Sequence, residues 1–175
     1  MKVLRKLFGI FLVLAFASGF LLLPSFGLAT EYKYDKGPVF IAEYDEEMKS
    51  TPPDEKSAKG GMVFFAMKDG WVEGFMVNVR DAEGVTLDTV SKKHLADMKA
   101  DTNNTDVALI SSEMVETEDG TPAVKTVIEY VASSGSEIAR LFFDAIKDGK
   151  WVFIDMWTIM DPEDCMDYLT SLEFE

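Results

Sequence analysis

Apolar and polar positions alternate in long stretches of this chain, and turn residues punctuate them at regular intervals. Three Asp-Gly pairs, Asp69-Gly70, Asp119-Gly120 and Asp148-Gly149, each separate two apolar or β-branched runs. Asp and Gly tolerate positive φ best, which suits the central positions of a tight hairpin turn. The pattern predicts three hairpins and a mostly antiparallel sheet. The run Lys150 to Met160 puts Trp151, Phe153, Asp155, Trp157 and Ile159 on one face, and Val152, Ile154, Met156, Thr158 and Met160 on the other. Apolar residues on both faces predict a central strand covered on both sides.

Residues 138–146 are ambiguous, because Ile138, Leu141, Phe142, Ala145 and Ile146 also recur at helical spacing. The segment Phe142 to Val152 echoes Phe64 to Val72: both run Phe-Phe, Lys-Asp-Gly, Trp-Val. That echo and the Asp-Gly turn favour a strand. One helix is clearer. Thr86 suits its cap and Asp88 its first turn, and Leu87, Val90, His94, Leu95 and Met98 line one face. A shorter helix is expected from Asp161, with Pro162 at its first position and Cys165, Met166 and Leu169 on its apolar side. Leu172-Glu173-Phe174 reads as a closing strand fragment.

The first 29 residues have a different character. Lys2, Arg5 and Lys6 precede an apolar run from Leu7 to Leu23, Pro24 breaks it, and Gly27 and Ala29 suit a signal peptidase. The segment reads as a cleaved export signal; the rival reading is an uncleaved N-terminal membrane anchor. Export places the mature chain in a periplasmic or extracellular space. Residues 30–61 read as an acidic lead-in. It holds a short strand from Val39 to Tyr44, then a polar surface loop with Pro52-Pro53 and Gly60-Gly61. Residues 62–175 read as a single α+β domain.

Charge narrows the choice of partners. All 31 acidic residues follow residue 30 and three of the 17 Lys and Arg lie in the leader, which leaves the mature chain a formal charge of −17. Such a surface disfavours nucleic acid and anionic lipid headgroups; it favours solubility first, and after it cationic partners or calcium. Cys165 is the only cysteine, so no internal disulfide forms.

The order of elements resembles the superfamily of the photosystem II extrinsic protein PsbP, the Ran-binding Mog proteins and the bacterial envelope protein DcrB. The carriers are the Thr86-Leu87 helix start, the turn Asp119-Gly120-Thr121-Pro122-Ala123, Asp148-Gly149-Lys150 before a long strand, and the terminal Ser171-Leu172-Glu173-Phe174. The resemblance runs from Met62 to Phe174. It implies an antiparallel β-sheet covered by helices on both faces, a PsbP-like α/β/α sandwich, and a binding or accessory role without catalysis. It supplies no catalytic residues. The chain departs from the pattern in its lead-in, where Pro52-Pro53 has no Trp nearby.

Candidate chemistry is sparse. One histidine and one cysteine exclude a zinc site of the usual kind, and no nucleophile elbow, phosphate loop or dinucleotide fingerprint occurs. No cofactor is expected. Asp101, Asn103 and Asp106 lack the glycine and terminal glutamate of a calcium loop. Asp155 stands out, because a carboxylate on an aromatic strand face needs a partner such as Arg140 or takes up a proton. Asp155, Trp157, Trp151 and His94 are the candidate ligand-binding residues. The reading is an exported, non-catalytic binding or accessory protein of the cell envelope whose partner is a protein or small ligand. A small hydrolase or isomerase working through Asp155, or calcium-dependent adhesion, are the alternatives.

Overall fold

The structure is a computed structural model that describes residues 29–71, 73–159 and 172–175. The apolar run of the expected leader and the helix expected from Asp161, with Cys165, lie outside the described residues. In chain order the elements are β1 (Ala29–Tyr34), β2 (Phe40–Asp45), β3 (Lys49–Ser50), α1 (Glu55–Lys59), β4 (Met62–Met67), β5 (Glu73–Asp81), α2 (Leu87–Ala100), β6 (Asn104–Glu116), β7 (Pro122–Ala132), β8 (Glu137–Lys147), β9 (Lys150–Thr158) and β10 (Glu173–Phe174). Seven strands form one sheet in the order β3-β4-β5-β9-β8-β7-β6, and β1-β2-β10 form a second.

Each Asp-Gly pair closes a hairpin of adjacent antiparallel strands: β4 with β5, β6 with β7, and β8 with β9. Only Asp148-Gly149 takes positive φ at both residues, 50° and 72°. At the other two turns the glycine alone does so, with Gly70 at 84° and Gly120 at 80°. Residues 138–146 are strand. β8 is hydrogen-bonded on one side to β7 and on the other to β9, and this two-sided pairing overrides the local helical spacing.

β9 lies between β5 and β8 and is buried on both faces, as its sequence predicts. One face carries Val152, Ile154 and Met156, which pack with Phe75, Val77, Leu141 and Phe143 against Phe40, Ala42, Tyr44 and Phe174 of the small sheet. The other face carries Trp151 and Phe153, which pack with Val124, Ile128 and Phe142 against Val90 and Met98 of α2. Each such large side chain contributes about 1.5–3 kcal/mol on burial.

The antiparallel sheet and one helical layer of the expected sandwich are present. Among the described residues α2 covers one face, and the opposite face is covered by the three-stranded sheet rather than by a helix. The cause lies in the lead-in. Phe40, Ala42 and Tyr44 alternate with Ile41 and Glu43 at strand period, so β2 turns an apolar face inward and pairs with β1 and β10. Phe40 and Ala42 are fully buried, which makes the segment part of the core. The stretch expected as a loop from Asp45 to Gly61 holds β3 and α1. α1 is capped by Asp54, whose Oδ1 accepts the Ser57 N–H at 2.8 Å, and it buries none of its residues.

Candidate functional site

The register of β8 and β9 builds the site. Phe142 faces Asp155, Asp144 faces Phe153 and Ile146 faces Trp151, so aromatic and acidic side chains form a chequered patch on the helix side of the sheet. α2 crosses this patch. Thr86 starts the helix, its N–H donating to Thr89 Oγ1 at 3.1 Å, and the i, i+4 spacing then turns Val90, His94 and Met98 inward.

His94 is buried in that seam, as its place on the helix face predicts. Its ring stacks on Phe142 at 3.8 Å and 12°, with Trp151 and Phe153 at 5.5 and 5.4 Å. His94 Nε2 lies 2.8 Å from Asp144 Oδ1, and the Trp151 indole N–H donates to the same oxygen at 2.7 Å. Asp144 Oδ2 is buried with no hydrogen-bond partner among the described residues. Burial raises the pKa of this carboxyl, although His94 and Trp151 oppose the shift.

Asp155 has the partner its position demands. Arg140 Nε and Nη2 each donate to one Asp155 oxygen at 2.7 Å, a bidentate fork. The guanidinium also lies over Phe142 at 5.6 Å and donates to Met98 Sδ at 3.4 Å. Across the patch, Arg80 on β5 lies over Phe153 at 5.1 Å and Trp151 at 5.8 Å. These groups line a small cavity of about 190 Å3, with Asp97 and Asp101 of the α2 end beside it.

Three of the four candidate residues, His94, Trp151 and Asp155, are therefore brought to one seam. Trp157 is not. It sits one step further along β9, opposite Arg140, with its ring over Gly74 and stacked on Phe65 at 6.0 Å. There it borders a wider depression of about 580 Å3 with Tyr130, Ile138 and Ile159. Sequence reasoning missed Asp144 and Arg80. The signal for Asp144 was the one used for Asp155, a lone acid inside an apolar strand, once 138–146 is read at period two. Among the described residues, no three His, Cys, Asp or Glu side chains gather in a way that could hold a metal ion. No helix among them is long and apolar enough to cross a membrane.

With this geometry in hand, the fold finds a clear counterpart. The solution structure of cyanobacterial PsbP (CyanoP) from Synechocystis sp. PCC 6803 superposes with a TM-score of 0.64, covering 86% of this chain and 96% of that one. The fold is PsbP-like. Identity is 16%, so the likeness is one of architecture, and it agrees with the resemblance read from the order of motifs. A crystal structure from Bacteroides thetaiotaomicron VPI-5482 aligns more loosely, with a TM-score of 0.47, 10% identity, and coverage of 78% of this chain and 45% of that one. No family model matches the sequence, and no curated protein matches it. Within the PsbP-like fold the α2 seam is thus defined by this chain's own side chains.

Proposed function

We propose that this chain is an exported, non-catalytic binding or accessory protein of the cell envelope. One observation carries the reading: the groups the sequence offers for catalysis are engaged with one another. Asp155 gives both oxygens to Arg140, and His94 Nε2 faces Asp144. A general base must reach a substrate proton within hydrogen-bonding distance, and a carboxylate held in a guanidinium fork is poorly placed to do so. The PsbP-like fold and the charged-then-apolar start of the chain support the same reading.

The geometry of the seam supports a protein partner over a small ligand. The seam around Asp155 is packed with rings, and its cavity of about 190 Å3 falls short of the roughly 300–1,000 Å3 of ordinary small-molecule sites. The depression of about 580 Å3 beside Trp157 lies within that range, so a small ligand is disfavoured at the Asp155 seam alone; the exposed apolar side chains of Leu109, Ile110 and Met114 support a protein partner on the outer surface. Cross-linking in envelope extracts at native abundance, followed by identification of the adducts, tests this; recovery of the chain alone would overturn it. An activity that Asp155→Asn abolishes while the fold keeps its stability would favour the hydrolase or isomerase reading instead.

A further inference from the structure

The two edges of the seven-stranded sheet are built differently. One edge, β3, is two residues long and presents Lys49, a short, charged ending of the kind that blocks edge-to-edge pairing. The other edge, β6, runs for 13 residues and pairs only with β7 among the described residues. From Ser111 to Glu116 no described strand pairs with the backbone donors and acceptors of its outer side. Leu109, Ile110 and Met114, all on β6, are 41%, 54% and 60% exposed; Ile159 is the other exposed large hydrophobic among the described residues. Apolar side chains gathered along an open edge mark an interaction surface.

We infer that β6 is a docking edge for an extended segment of a partner chain in which two basic residues three positions apart flank an apolar one. This names the partner chemistry for the binding role proposed above, and rests on that reading. The backbone sets where the segment sits. Register shifts interrupt β6 between Thr105 and Ala108 and between Leu109 and Ser111, but from Ser111 to Glu116 it is regular. A run of six residues is the length of an ordinary added strand, about 20 Å.

Charge sets what the segment carries. β6 contains Asp106, Glu113 and Glu116 and no basic residue; Glu113 lies 3.6 Å from Lys125 of β7, and Glu116 has no such neighbour among the ion pairs of the described residues. Met114 and Glu116 point to one face of the regular run and Glu113 to the other, so a basic residue on each face and an apolar residue against Met114 complement it. A second copy of this chain does not. Any two-fold antiparallel pairing centred on a residue from Ser112 to Glu116 brings glutamates of the two copies opposite or diagonal to one another, where like charges repel. The acids thus guard the edge against self-association while leaving it open to a basic strand.

Selection of ten-residue peptides from a random display library on the full chain, followed by anisotropy titration of the recovered peptides, tests the assignment. The recovered set should carry Lys or Arg three positions apart with an apolar residue between them. Binding should weaken about tenfold or more with Met114→Lys or with Glu113→Lys/Glu116→Lys, and with N-methylation of alternate peptide amides. All three side chains are exposed, and an unchanged melting temperature confirms that the variants fold. No recovered peptide, peptides without that spacing, or binding that the β6 substitutions leave unchanged would overturn the inference. So would self-association of the chain that Met114→Lys abolishes. Envelope partners that cross-link equally well to the Met114→Lys chain would overturn the edge assignment and leave the accessory role standing.

Discussion

Removing Arg140 is the sharpest perturbation of the seam. The Asp155 side chain is 7% exposed and Arg140 is 26% exposed, so Arg140→Met strands a carboxylate that water barely reaches. Breaking a buried pair from one side costs about 3–5 kcal/mol. The partial exposure of Arg140 lets water enter once the guanidinium is gone, which puts the expected loss near 3 kcal/mol, at the low end of that range. Asp155→Asn is milder, about 1–2 kcal/mol, because the guanidinium keeps Phe142, Met98 and some solvent. Arg140→Met/Asp155→Leu removes both charges and leaves apolar residues on an apolar patch, so it should cost less than Arg140→Met alone. Urea denaturation followed by tryptophan fluorescence measures all three. With a slope of about 1.5–2 kcal/mol per molar, a loss near 3 kcal/mol lowers the midpoint by roughly 1.5–2 M. A loss below about 1 kcal/mol for Arg140→Met, or strict additivity in the double variant, would refute the claim that Asp155 is a structural carboxylate.

Gly74→Ala would place a Cβ 1.9 Å from the Trp157 ring, which must swing away; a cost of about 1–3 kcal/mol and an altered tryptophan emission are expected. Phe40→Ala should cost about 3–5 kcal/mol by urea melting, because Phe40 is fully buried between the sheets; a value under about 1 kcal/mol would make the lead-in a dispensable arm. Partial burial opposes ionisation of Asp119, but hydrogen bonds from the Thr117 and Thr121 hydroxyls and the Phe174 N–H, with Lys147 nearby, hold its carboxyl at about 2. A depressed carboxyl contributes stability above its unfolded pKa and loses it as pH falls through the folded value. The wild type should therefore exceed Asp119→Asn by about 1 kcal/mol at pH 5, after screening by solvent, and the gap should close between pH 4 and 2.

The hairpins, the Thr86 helix and the central place of β9 were legible because each is set by local pattern: a turn dipeptide, a cap, a period. The demand of Asp155 for a cation was legible too, since an acid on an aromatic strand face has few fates. What covers the second face was not. The alternation from Phe40 to Tyr44 shows a strand with an inward face, but pairing with β10 at the far end of the chain decides which surface it closes. Asp144 was hidden for a related reason. At helical spacing 138–146 offers a smooth apolar face, and only pairing with β7 and β9 places the acid beneath His94. Edge status is likewise invisible locally. Nothing within β6 says that α2 carries the chain from β5, inside the sheet, to its margin.

The distribution of the strongest cations gives that margin its character. Beyond Arg5 the chain has only Arg80 and Arg140, and both lie over aromatic rings in the α2 seam. The planar guanidinium is suited to such stacking. It leaves the β6 strand itself with acids alone, on a chain whose residues 30–175 carry a formal charge of −17. Two effects of salt then take opposite signs. Self-repulsion among the acids weakens the folded chain, so raising ionic strength from about 0.01 to 0.15 M, which shortens the screening length from roughly 30 to 8 Å, should raise the urea midpoint. The same screening removes the attraction that draws a basic strand to β6, so its association rate should fall. Stopped-flow binding and urea melts across one salt series separate the two. A rate that stays constant while the midpoint climbs would show that the acids of β6 repel copies of this chain without recruiting anything basic.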